Sequence, residues 1–131
     1  MIVNSFPTEA LELLRTGIPG MQALWLFGSR VGENSRPDSD WDLAVLVEHP
    51  LDGWLLLDLR ARLAAVLGAE VDLVDLRLAS TVLAIEVMRA DALVLELDAS
   101  ARATFEMRTL TQYQDLNEAR KDILADLGMA A

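Results

Sequence analysis

The chain has no cysteine and one histidine, His49, among its 131 residues. Disulfides, thiolate nucleophiles, cysteine-bound zinc and histidine-rich metal sites are thereby excluded, and carboxylate is what remains for metal chemistry. Lysine is reduced to Lys121, and the 11 basic residues face 21 Asp and Glu, a formal net charge of −10. The arginines are scattered from Arg15 to Arg120 without clustering. DNA or RNA would meet a repulsive average field, so no direct nucleic-acid contact is expected; a basic partner protein or cationic small molecule suits the charge better. Long apolar runs are missing too. Hydrophobic residues make up 53% of the chain, but none of their runs approaches the roughly 18–20 residues that cross a bilayer. The start, Met1 to Pro7, has neither a basic n-region nor a long apolar h-region, and the expectation is a cytoplasmic protein. Glycine and proline fall as punctuation between periodic stretches, with no repeat or linker, so residues 1–131 read as one domain of ordinary size.

Periodicity gives the elements. Thr8 reads as an N-cap before Ala10, Leu11, Leu13 and Leu14, and Gly17-Ile18-Pro19-Gly20 stops that helix. Ala23 to Phe27 is a short apolar run ended by Gly28, as in a strand buried on both faces. Ser29 to Ser39 is polar, contains Gly32 and Pro37, and reads as a helical turn and loop. Asp40 to Val47 forms a second strand closed by Pro50. Asp52 caps a helix whose Leu55, Leu59, Leu63 and Leu67 recur every fourth residue until Gly68. Glu70 to Leu76 is a third strand, Ser80 to Arg89 a helix and Ala92 to Leu97 a fourth strand. Ala99 to Leu127 is one long helix or two broken ones, with Phe105, Leu116, Ile123 and Leu127 on a shared face. The fold class is α/β (α+β), a small mixed sheet covered by helices. Trp25, Trp41 and Trp54 are assigned to packing, His49 to a loop, and Tyr113 to packing or an interface.

The chemistry concentrates between Gly28 and Asp72. Strand periodicity puts Asp40 and Asp42 on one side of their strand, roughly 6.6 Å apart along the backbone, with Trp41 and Leu43 on the other. Two such carboxylates form an oxygen platform for a hard divalent cation such as Mg2+. Gly28 allows a tight turn that leaves Ser29 at the start of a helical turn, where free N–H groups and the hydroxyl suit a phosphate. Arg30, and after it Arg36, are placed to add charge-assisted contacts. Holding two cations takes a third acid. Asp72 is the candidate: Asp72 and Asp75 alternate, so only one can join the face of Asp40 and Asp42, and Asp72 is the one flanked by apolar residues. Such a triad suits in-line displacement at an α-phosphorus, with Asp72 holding the second ion and helping to accept the proton.

Gly28-Ser29, ten residues, then Asp40-Trp41-Asp42, with Asp72 in a Val-Asp-Leu-Val strand, resembles the signature of the nucleotidyltransferase superfamily that includes DNA polymerase beta and kanamycin nucleotidyltransferase. At this length the chain is similar to the minimal nucleotidyltransferases, the MNT or MntA-like antitoxins encoded beside a HEPN-domain toxin. The resemblance runs from the first strand through the long C-terminal helix, with no signature position missing. It implies the nucleotidyltransferase fold with a C-terminal helix. It implies catalytic and metal roles for Asp40, Asp42 and Asp72, Mg2+ as cofactor (two ions), and nucleotide binding at Gly28, Ser29 and Arg30. The implied activity is transfer of AMP from ATP to a tyrosine of a HEPN-type ribonuclease, which silences it; ATP enters from the resemblance alone. Two other functions stay open on the residues: a small-molecule nucleotidyltransferase of the aminoglycoside-modifying kind, and a non-catalytic antitoxin that occludes its toxin. Homo- or hetero-oligomers are both compatible with the sequence.

Overall fold

The computed structural model describes residues 3, 5–31 and 39–128. Their order is α1 (Thr8–Gly17), β1 (Met21–Phe27), a single 3-10 turn (Gly28–Arg30), β2 (Trp41–Val47), α2 (Gly53–Leu67), β3 (Val71–Asp75), α3 (Thr81–Ala90), β4 (Leu93–Glu96) and α4 (Ala99–Asp126). The strands form one sheet in the order β3-β2-β1-β4. β2 and β3 are parallel and joined by the α2 crossover, while β1 is antiparallel to both its neighbours. This is the mixed, helix-covered sheet that the periodicity predicts.

Helices cover both faces. On one, Leu24, Leu26, Leu43, Val45 and Leu73 pack against Ala10 and Leu14 of α1 and Leu59 and Leu63 of α2. On the other, Trp25, Phe27, Ala44 and Leu46 meet Ala84 and Val87 of α3 and Phe105 of α4. β1 and β2 lie in the middle of this sandwich, which is why their sequences are continuous apolar runs rather than alternating ones. The ends of α2 follow the expected chemistry: the Asp52 carboxylate accepts the Trp54 N–H at 2.7 Å, and Gly68 closes the helix in the left-handed region at φ 68°. Ser80 likewise caps α3 through the Leu83 N–H.

Two local expectations are corrected. Thr8 is the first helical residue and not the cap; Pro7 holds that place, its carbonyl already accepting the Leu11 N–H. Trp54 is 81% exposed instead of packed, because at 100° per residue it lies opposite Leu63 on α2. The C-terminal segment is one unbroken helix of 28 residues, but Leu116, Ile123 and Leu127 are exposed and only Phe105 of that stripe joins the core. At 1.5 Å per residue α4 is about 42 Å long and outruns the sheet beneath it. Among the described residues no helix is long and apolar enough to cross a membrane.

Candidate active site

β1 delivers Phe27 and Gly28 to the sheet end where β2 and β3 begin. Phe27 pairs with Asp42 across β1 and β2, and Asp42 pairs with Asp72 across β2 and β3. Adjacent strands are about 4.8 Å apart, so the two aspartates stand side by side, on the face that Ala44 and Val74 continue. Gly28 lies directly behind Asp42. Its φ is +73°, and an added Cβ would collide with Asp42 Oδ2 and sit 3.0 Å from Cγ. Glycine is therefore required twice over, for the backbone and for the room that the carboxylate occupies.

Asp40 is exposed, one residue ahead of β2. The Trp41 N–H donates to the Glu70 carbonyl at 2.9 Å, which pins the start of β2 to the residue before β3. The Asp42 carboxyl is pushed above the ordinary aspartate range, first by burial and then by the charges of Asp72, Asp40 and Glu86. The field at Asp42 is thus made by the two predicted partners and by a fourth acid that sequence reasoning missed. Glu86 is the only acid of α3, and that isolation on a largely apolar helix is the signal that could have found it.

Asp72 is half exposed and its Oδ1 accepts a hydrogen bond from Arg60 Nη2 of α2. The same nitrogen is 3.3 Å from the Leu73 carbonyl. Arg60 is a second residue that the sequence did not single out. Asp75 is on the opposite face, as alternation requires. It is buried, with Oδ2 accepting the Leu51 N–H at 2.7 Å and Oδ1 the Arg77 N–H at 2.9 Å. It staples loops and takes no part in the acidic cluster.

The turn after Gly28 exposes Ser29 beside these acids. Arg30, expected at the phosphate, makes contacts within the chain. Its Nε and Nη2 donate to the Ser39 carbonyl at 2.9 and 2.7 Å, and its guanidinium carbon lies 4.2 Å from the centroid of the Trp41 ring. The side chain grips the residues on either side of Asp40. Arg36, Gly32 and Pro37 lie outside the described residues. His49 is exposed in its loop beside Glu48, and Tyr113 sits between α3 and α4, where its hydroxyl lies 3.4 Å from Arg89 Nη2. That contact lowers the phenol below its ordinary pKa.

The donor set suits a divalent cation: hard carboxylate oxygens, with Asp42 surrounded by three further negative charges. The acids share one sheet end but not one point. Among the described residues no three such side chains already converge as an ion would need, and Asp72 is drawn toward Arg60.

Residues 12–100 match the family model described as polymerase beta, nucleotidyltransferase. The protein adenylyltransferase MntA of Shewanella oneidensis is 37% identical over 119 residues, which cover 91% of this chain and 85% of that protein. MntA of Aphanizomenon flos-aquae is 27% identical over 128 residues, 90% and 85% of the two chains. Among solved structures, a toxin–antitoxin with AMP-PNP superimposes with a TM-score of 0.77 at 38% identity, covering 89% of this chain and 94% of that one. A chain in the structure of the tri-AMPylated Shewanella oneidensis HEPN toxin in complex with MNT antitoxin gives 0.70 at 36% identity, covering 91% and 92%.

Proposed function

The chain belongs to the polymerase beta nucleotidyltransferase family, and we propose that within it this protein is a Mg2+-dependent protein adenylyltransferase. It moves AMP from ATP to a hydroxyl, that of a tyrosine, on a HEPN-type ribonuclease toxin, and so acts as the antitoxin. The observation that carries this reading is the register that sets Asp42 beside Asp72 with Gly28 directly behind.

Asp40, Asp42 and Asp72 are the residues that would hold Mg2+, which when bound offsets the charge of the triphosphate and favours attack by an ionised hydroxyl. Ser29 and the N–H groups of its turn bind the phosphates, and the tight turn at Gly28 brings them next to Asp42. Arg30 fixes the backbone around Asp40 and thereby orients its carboxylate. Asp72 takes the proton of the acceptor hydroxyl as that oxygen bonds to the α-phosphorus and the bond to pyrophosphate breaks.

The test is the intact mass of the partner toxin after incubation with this chain, ATP and Mg2+, against the Asp40→Asn/Asp42→Asn double variant. Whole AMP units gained only with the unsubstituted chain are the expected result. A toxin neutralised with its mass unchanged would replace this reading with occlusion.

A further inference from the structure

Arg60 projects from α2, which packs on the sheet face opposite Asp42 and Asp72. It reaches Asp72 only because β3 is the edge strand, so that a long side chain can pass around it. One nitrogen, Nη2, makes both its contacts, to Asp72 Oδ1 and to the Leu73 carbonyl. Nε is buried with no acceptor. This falls well short of the two-pronged fit that makes arginine–carboxylate pairs strong. The pair is also wet, with Arg60 40% and Asp72 50% exposed, and exposed pairs contribute little. Its place is nonetheless specific. Among the described residues Arg60 is the only cation within ion-pair distance of any of Asp40, Asp42, Asp72 and Glu86.

We propose that Arg60 is a built-in counter-ion for Asp72 which a divalent cation displaces, so that this arginine sets how readily the acidic site takes its metal. The inference rests on the nucleotidyl-transfer reading above. A poorly seated monovalent group bonded through a single nitrogen yields to an ion of double charge that several carboxylates engage at once. Until then the arginine keeps Asp72 from adding its full repulsion to Asp42.

Arg62 supplies the control. It lies on the same helix and pairs with Asp58, so Arg62→Gln removes one positive charge without touching Asp72. Mn2+ is titrated into the full-length chain, with neither nucleotide nor toxin, and free Mn2+ is followed by electron paramagnetic resonance. Arg60→Gln is expected to bind Mn2+ about two- to fivefold more tightly than the unsubstituted chain and Arg62→Gln, a range set by the modest strength of an exposed pair. Thermal unfolding should show that Arg60→Gln gains more stability from Mn2+ than either. Equal affinity in the Arg60 and Arg62 variants overturns the proposal in favour of a purely structural pair. Weaker binding by Arg60→Gln overturns it too, making Arg60 a residue that positions Asp72 for the ion. Asp42→Asn separates the two levels of argument: if it binds Mn2+ as well as the parent, the metal site itself is misassigned.

Discussion

Asp42 stands where charge is hardest to keep. Its proton is held to higher pH in the folded chain than in the unfolded one, because burial and then Asp72, Asp40 and Glu86 disfavour the anion. Ionising it therefore lowers stability, an effect absent below the ordinary aspartate pKa and fully developed once pH exceeds the raised folded value. Asp42→Asn should raise the Tm at neutral pH in the presence of a chelator, and the gain should fade as pH falls into the carboxylate range; calorimetry across pH checks this. The same variant should lose Mg2+-dependent transfer. Gly28→Ala is expected to fail in both respects. The positive φ alone disfavours an L-residue by about 1–2 kcal/mol, and the new methyl displaces the Asp42 carboxylate, so transfer should vanish while the Tm drops. Asp75→Ala leaves the N–H groups of Leu51 and Arg77 without their acceptor. It should destabilise by about 2–4 kcal/mol in chemical denaturation, with the nucleotide site intact. Alternation along Val71 to Asp75 showed in the sequence that only one of Asp72 and Asp75 could join Asp42, and the apolar neighbours of Asp72 pointed to which. It could not reveal Arg60, since a helix residue that rounds a sheet edge leaves no periodic trace.

At the level of elements, what was legible followed from local rules. The leucine stripe of α2 with its Asp52 and Gly68 caps, and the apolar runs of β1 and β2, announce themselves because local geometry and burial agree there. Which strands pair, and in what register, is decided by contacts distant in sequence, and the meeting of Asp42 with Asp72 was readable only as a shared-face possibility. The contact of Arg30 with the main chain was illegible for a plainer reason: its acceptor is the Ser39 carbonyl, a group every residue carries. The clamp joins the 3-10 turn to the approach of β2. Arg30→Met should destabilise by about 1–2 kcal/mol, the worth of a charge-assisted hydrogen bond with a ring contact. It should lower the transfer rate by more than that stability loss explains, which parallel denaturation and kinetic measurements would resolve.

Over the whole molecule, the sheet and its helices account for the packing, and the far half of α4 stands apart from it. Leu116, Ile123 and Leu127 are 51%, 60% and 68% exposed, so replacing Ile123 and Leu127 together with serine should change unfolding free energy by no more than about 0.5 kcal/mol. The working groups, by contrast, crowd one end of the sheet, and what holds them there is strand pairing. Phe27 and Asp42 are direct partners, and Arg30 ties the turn that follows Phe27 to Ser39, just ahead of β2. The ten-residue interval of the motif is then a connection and not a ruler. Lengthening it between residues 31 and 39 is expected to add a loop-closure entropy cost of about 0.6 kcal/mol for each doubling. Foreign segments inserted there should leave the carboxylates where the ladder puts them, and this interval becomes the natural place at which the small enzyme could accept new sequence.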